Sequence, residues 1–212
     1  MDKFSVIIPT IWKSEYTMQL LERYLNCDKV GEVILINNNK AETPQISIHD
    51  KLKVITPNEN IYVNPAWNMG VQLSSYDNIT ISNDDILFNV DEYFYYLEQK
   101  HDLLQLGYIG SHNDNYSLTQ SKEIVIIELY DNKTNTGGWG CLFSFNKKLW
   151  KPIPEQLKIW YGDNCIHETN KLILQLNGIA IETRMSTSSD LDSLREVRDN
   201  DTIEWMKLIN NK

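Results

Sequence analysis

The residues best suited to chemistry stand in three short clusters. The first, Asn83-Asp84-Asp85, follows a strand-like segment at residues 78–81. Two adjacent carboxylates in an acidic chain repel each other unless a cation or a hydrogen-bond donor relieves them. A hard divalent ion, Mn²⁺ or Mg²⁺, does this and keeps positions open for water and substrate phosphates. The same pair also fits a plain turn, where Asp commonly ends a strand. The second cluster is Thr136-Gly137-Gly138-Trp139-Gly140. Its glycines allow close backbone approach, and the Trp139 indole offers either a flat wall for a sugar ring or a plug for the core. The third, Ile159-Trp160-Tyr161-Gly162-Asp163-Asn164, sets an aromatic pair beside a carboxylate. That context suits stacking on a sugar while the acid works at its edge as a general base; Asp163 equally suits a helix N-cap. His49, His101, His112 and His167 lack the mutual spacing of a zinc site, and no Ser or Cys sits in a nucleophile elbow. Each histidine reads as structural, with His112 and His167 the two worth testing as metal or phosphate ligands.

Positioning these clusters requires a sheet. Residues 4–8 form a buried strand stopped by Pro9, and apolar positions within 14–27 share one helical face. Residues 33–36 make a second strand that runs into three asparagines, 37–39, and 53–55 a third. Asn64-Pro65 predicts a helix start, with Asn as N-cap and Pro at the first helical position. The pattern then predicts a strand at 78–81, a helix over 91–104, and strands at 107–110, 124–129 and 141–145. It continues with a helix over 164–177 stopped by Gly178, a strand at 179–182 and a charged C-terminal helix. Alternation of strand and helix in the first half predicts an α/β fold with a mostly parallel sheet. Ligands collect beyond the carboxyl ends of such strands, which selects Pro9-Thr10, residues 37–39 and residues 83–85.

Composition narrows the chemistry further. Among 212 residues, 20 Lys and Arg oppose 29 Asp and Glu for a net charge of −9, which argues against nucleic acid or an anionic membrane as partner. The three cysteines, Cys27, Cys141 and Cys165, form neither a disulfide framework nor a metal knuckle. No apolar run reaches the roughly 20 residues of a membrane span, and the opening residues lack a signal-peptide profile. A cytoplasmic protein is the resulting expectation. Neither a Gly-x-Gly-x-x-Gly turn nor a P-loop is present, so any nucleotide must be held another way.

Taken as an ordered set, the clusters resemble the GT-A glycosyltransferases, especially their large family 2. Phe4-Ser-Val-Ile-Ile-Pro-Thr10 resembles the opening strand, and Glu32-Val-Ile-Leu-Ile-Asn-Asn38 the second. Asn58-Glu-Asn60 through Asn64-Pro-Ala66-Trp-Asn68-Met-Gly70 is similar to the asparagine-rich segment after the third strand. Ser82-Asn83-Asp84-Asp85 stands where the family carries Asp-x-Asp, and Trp160-Tyr-Gly-Asp163 resembles its later acidic motif. The match covers roughly residues 4–182, and by size it looks like compact stand-alone members, including those of large DNA viruses, which would place it in a host cytoplasm. The resemblance implies one GT-A domain: a three-layer sandwich with a nucleotide-binding half at about 1–110 and a donor-sugar and acceptor half at about 111–212.

Roles follow from the resemblance position by position. Pro9, Thr10 and Asn38 would line the base pocket, and Asn60 and Asn68 would hold the nucleotide or the loop around it. Asn83 and Asp84 would face ribose and metal, with Asp85 a direct ligand of Mn²⁺ or Mg²⁺ and Asn83 beside it. Gly138, Trp139, Trp160 and Tyr161 would shape the sugar and acceptor sites, and Asp163 would take the acceptor's proton. The implied activity is transfer of a hexose or deoxyhexose from a nucleotide diphosphate sugar, most naturally a UDP-sugar, to a hydroxyl of a glycan or glycoprotein, with inversion. Asn83 replaces the first acid of Asp-x-Asp and Asn38 stands where an acid commonly contacts the base. These departures keep a catalytically inactive binding domain open, and a retaining transferase stays open because inversion rests on Asp163 alone. A sugar nucleotidyltransferase is disfavoured, since Pro9-Thr-Ile-Trp-Lys13 is not the Gly- and Arg-rich loop such enzymes carry.

Overall fold

The computed structural model describes residues 3–111, 124–126, 139–183 and 192–210. In chain order the elements are β1 (Phe4–Thr10), α1 (Thr17–Asn26), β2 (Val30–Asn37), β3 (Leu52–Ile55), α2 (Val63–Leu73), β4 (Asn78–Ser82), β5 (Ile86–Leu87) and α3 (Val90–Gln99). There follow α4 (His101–Leu104), β6 (Tyr108–Gly110), β7 (Ile124–Ile126), β8 (Leu142–Asn146), α5 (Gly162–Thr169), β9 (Ile173–Leu176), β10 (Glu182–Thr183) and α6 (Arg195–Asn210). Among the described residues the main sheet has eight strands in the order β3-β2-β1-β4-β8-β6-β9-β7, and β10 pairs with β5 apart from it.

The first four strands of that order are parallel, as the alternating pattern predicts. β8 joins β4 antiparallel and turns the sheet mixed. Strand periodicity then sorts each apolar run onto two faces. Val6, Ile8, Val33 and Leu35 pack with Leu20, Leu21 and Tyr24 of α1 and Phe94 and Leu97 of α3. Ile7, Ile34, Ile36, Ile79 and Ile81 pack on the opposite side with Ala66, Trp67 and Val71 of α2, Ile166 of α5 and Trp205 of α6. The result is helices, sheet, helices: the α/β three-layer sandwich expected from the sequence. Cys27, Cys141 and Cys165 are buried free thiols, and no helix among the described residues is long and apolar enough to cross a membrane.

Several expected boundaries move; β1 runs through Pro9, expected to stop it, as far as Thr10, because Ile36 and Asn37 of β2 pair alongside those two residues. α2 begins at Val63, one residue before the expected cap, with Tyr62 at φ 65° preceding it. Asn64 therefore lies inside the first turn, and its side chain donates to the Trp160 carbonyl instead of capping. The expected helix over 91–104 breaks at Lys100, whose φ of −115° and ψ of 28° separate α3 from α4. The expected helix over 164–177 ends at Thr169, where the Asn170 amide donates to the Ile166 carbonyl. Residues 173–176 leave it to become β9 between β6 and β7, sending Ile173 to one face of the sheet and Leu174 and Leu176 to the other. The strand expected at 179–182 reduces to a pair at Glu182–Thr183, although Ile179 and Ile181 remain buried. The expected strand at 124–129 is seen at Ile124–Ile126; residues 127–129 lie outside the described residues.

Candidate active site

The carboxyl ends of β1, β2 and β4 open on one edge of the sheet. At that edge a cleft of about 220 Å³ is lined by Pro9, Thr10, Ile11, Asn38, Asn60, Tyr62, Val63, Asp84, Ile159, Ser193 and Leu194. Five residues assigned above to nucleotide or metal, Pro9, Thr10, Asn38, Asn60 and Asp84, thus share one cavity. Hydrogen bonding shows what each is free to do. Asn38 spends both ends of its amide on the rim, donating to the Tyr62 carbonyl at 3.2 Å and accepting from the Ile61 N–H at 3.2 Å. It shapes the wall by holding this backbone. Asn60 accepts from the Tyr62 N–H at 2.8 Å and sets the same turn, which Tyr62 leaves at positive φ. Asn37 is engaged too, accepting from the Trp12 indole at 2.8 Å and donating to Thr43 at 2.6 Å.

The acidic turn after β4 separates its two carboxylates. Asp84 faces inward, accepting from the hydroxyls of Thr10 and Thr17. Burial pushes its carboxyl up to about 6, with the charge of Asp85 adding to the effect and the two threonines opposing it. Burial likewise raises Asp85. The N–H of Asn83 donates to the Cys141 carbonyl at 2.8 Å, because β8 runs antiparallel beside β4 and its start meets the end of β4. Burial drives the Cys141 thiol up to about 12, and the charges of Asp85 and Asp163 add to that rise.

Asp163 sits in the first turn of α5, with one carboxylate oxygen accepting from the Asn164 N–H at 2.9 Å. Gly140 lets it approach, since a Cβ there would stand 3.3 Å from the Asp163 Cβ. Gly162 is demanded more strictly, because a Cβ at that position would meet Asn64 Oδ1 at 2.1 Å. One turn along α5, His167 packs edge-on against Trp139 with ring centroids 4.9 Å apart. Its buried Nε2 has no hydrogen-bond partner among the described residues, and burial lowers its pKa against the pull of Asp163.

Three of the assigned side chains are engaged away from the cleft. Trp139 is 1% exposed and stacks on Phe143 with centroids 4.9 Å apart, so it fills the core and presents no wall to a sugar. Tyr161 stacks on Trp205 with centroids 5.5 Å apart and planes 7° apart, which ties its ring to α6. Asn68 donates to the Ile153 carbonyl at 2.8 Å and accepts from the Ile153 N–H at 2.9 Å, and it does not line the cleft. Trp160 stays partly exposed, its N–H held by Asp201. Gly138 and His112 lie outside the described residues. Ile159 opens the third cluster without a role assigned to it, and the sequence assigns none to Ile11, Tyr62, Val63, Ser193, Leu194 or Asp201. Only Asp201 had a usable signal: it stands four residues before Trp205, so the two share a helical face.

No protein-family model matches the chain, and none of the curated proteins matches it in sequence. Solved structures do match in fold. S. aureus TarS 1-349 superposes with a TM-score of 0.62 at 18% identity, over 84% of this chain and 59% of that one. TarS 1-349 in complex with UDP-GlcNAc gives a TM-score of 0.65 at 16% identity, over 93% and 64%. The longer S. aureus TarS chain gives a TM-score of 0.59 at 16% identity, over 92% of this chain and 39% of that one. This chain therefore spans about three-fifths of TarS 1-349 and two-fifths of the longer TarS chain. The architecture is the GT-A type that the motif order implies, shared with the TarS structures at low sequence identity.

Proposed function

We propose that this chain is a glycosyltransferase that takes a UDP-sugar and moves its hexose or deoxyhexose to a hydroxyl of a glycan or glycoprotein. The observation that carries the reading is the gathering of Pro9, Thr10, Asn38, Asn60 and Asp84 around one cleft at the carboxyl edge of a GT-A sheet. That TarS, which shares the fold, is known in complex with UDP and with UDP-GlcNAc supports the choice of donor.

The chemistry of the acidic turn fits a hard divalent cation. Among the described residues no group of three or more His, Cys, Asp or Glu gathers as ligands, so these residues offer no complete cage. Mn²⁺ and Mg²⁺ accept that arrangement, binding one or two carboxylates and taking further oxygens from a diphosphate and water. Asp85 would be the direct ligand with Asn83 beside it, while Asp84 stays turned toward Thr10 and Thr17. When bound, the ion would offset the charge of the leaving diphosphate. Asp163 accepts the proton of the acceptor hydroxyl as its oxygen forms a bond to the anomeric carbon and the bond to the diphosphate breaks. Attack opposite the leaving group inverts that carbon.

The test is UDP release from a panel of UDP-sugars with Mn²⁺ and with chelator, alongside calorimetry of UDP binding. Asp163→Asn should keep UDP affinity yet lower turnover about 10²- to 10⁴-fold, the usual contribution of a positioned base. Undiminished turnover in that variant would remove Asp163 from the mechanism. Tight UDP binding in chelator would remove the cation from Asp85. UDP binding without release from any donor would leave a sugar-nucleotide binding module in place of an enzyme.

A further inference from the structure

Residues 158–161 form a strut between the cleft and Asp163. Ile159 lines the cleft, and α5 starts directly after Tyr161. The strut is gripped from two sides. On one side Asn64 of α2 donates its N–H to the Lys158 carbonyl at 2.9 Å and its side-chain amide to the Trp160 carbonyl at 3.1 Å. On the other side lies Asp201 of α6, 0% exposed. Its Oδ1 accepts from the Lys158 N–H at 2.9 Å, and its Oδ2 accepts from the N–H groups of Ile159 at 2.8 Å and Trp160 at 2.9 Å. The Tyr161 and Thr202 hydroxyls meet at 3.1 Å, and the Tyr161 ring lies flat on Trp205. Tyr161 itself holds φ 65°, a conformation that a bulky side chain keeps only when its surroundings impose it. A buried carboxylate is costly unless its oxygens are filled, and here three successive backbone donors fill them.

We infer that Asp201 is a positioning residue for the transfer proposed above: by gathering the N–H groups of residues 158–160 it imposes the left-handed turn at Tyr161 and so fixes where α5 carries Asp163. The inference rests on Asp163 as the base. A base must lie within hydrogen-bond reach of its proton, and a shift of about 1 Å costs about a hundredfold in rate.

The experiment is a double-mutant cycle read by UDP release from UDP-GlcNAc with Mn²⁺, extended to the other donors of the panel, with UDP calorimetry and thermal unfolding as controls. Asp201→Asn keeps the side-chain shape and turns part of the acceptor into a donor. Its kcat should fall about ten- to hundredfold while donor KM and UDP affinity stay within about threefold. The double variant Asp163→Asn/Asp201→Asn should be no slower than Asp163→Asn alone, because a misplaced base that is already absent costs nothing more. Should Asp201→Asn not fold, Asp201→Glu carries the same cycle, since it keeps the carboxylate but moves its oxygens one methylene away from the N–H groups of residues 158–160. Wild-type kcat in a folded Asp201→Asn, or a loss that multiplies with that of Asp163→Asn, overturns the positioning role. Full turnover in Asp163→Asn by itself is a separate result: it overturns the base, and this role for Asp201 with it.

Discussion

Asp84 allows a stability prediction whose size comes directly from its surroundings. Burial raises its carboxyl from the 3.8 of an ordinary Asp to about 6, so the native state binds a proton more tightly than the unfolded chain does. The stability linked to that proton is fully present below about pH 4 and is lost as pH rises through about 6. At roughly 1.4 kcal/mol per pH unit, the ionised Asp84 costs the folded protein about 3 kcal/mol at neutral pH. Asp84→Asn cannot ionise, and its amide oxygen can still accept from the Thr10 and Thr17 hydroxyls that now meet the carboxylate. Denaturant unfolding in chelator should therefore find the variant more stable by about 3 kcal/mol at pH 7.5 and equal to the wild type at pH 4. In a thermal scan this corresponds to a gain of roughly 6–12 °C at the higher pH for a chain of this length. An Asp84→Asn difference that does not change with pH would show that the site is not strained by the charge. A variant less stable at pH 7.5 would show that the ionised carboxylate holds the two hydroxyls better than it suffers from burial.

Two further substitutions separate scaffold from site. Asn68→Ala should lower stability by about 1–3 kcal/mol, because the N–H and C=O of Ile153 both lose their partner, and should leave UDP affinity unchanged in calorimetry; a stable variant with weakened UDP binding would return Asn68 to the nucleotide. Gly162→Ala forces a Cβ against Asn64 Oδ1 and should cost about 1–3 kcal/mol in denaturant unfolding, with turnover reduced because the first turn of α5 must move; an unchanged midpoint and rate would mean that the strut yields at no cost.

Much of the framework is legible along the chain. β1 and β2 are largely continuous apolar runs, as strands buried on both faces are, β4 alternates Ile79 and Ile81 with buried polar residues, and each ends in polar residues. This periodicity is local, so the parallel half of the sheet and the position of Asp84 and Asp85 at its edge follow from residue order alone. Residues 170–177 show the limit of that reading. Leu172, Ile173, Leu174 and Leu176 suit a helix as well as a strand, and only the vacant edges of β6 and β7 decide between them.

Side-chain partners are the other thing that sequence spacing leaves open. Asn64 has the type and place of an N-cap, yet it bonds the Trp160 carbonyl far along the chain. Trp139, flanked by glycines, suits a ligand wall or a core plug equally, and the stack on Phe143 makes it the latter. Asp201 reads as one charge among many on a polar helix until three backbone N–H groups of another segment close on it. The sequence by itself determined the four parallel strands of the first half, the helices between them and the edge where Asp84 and Asp85 stand, because these follow from short-range periodicity. Only the tertiary structure decided which hydroxyls Asp84 meets, which amides are already spent and which helix holds the strut, because a hydrogen bond between distant residues leaves no pattern in their spacing.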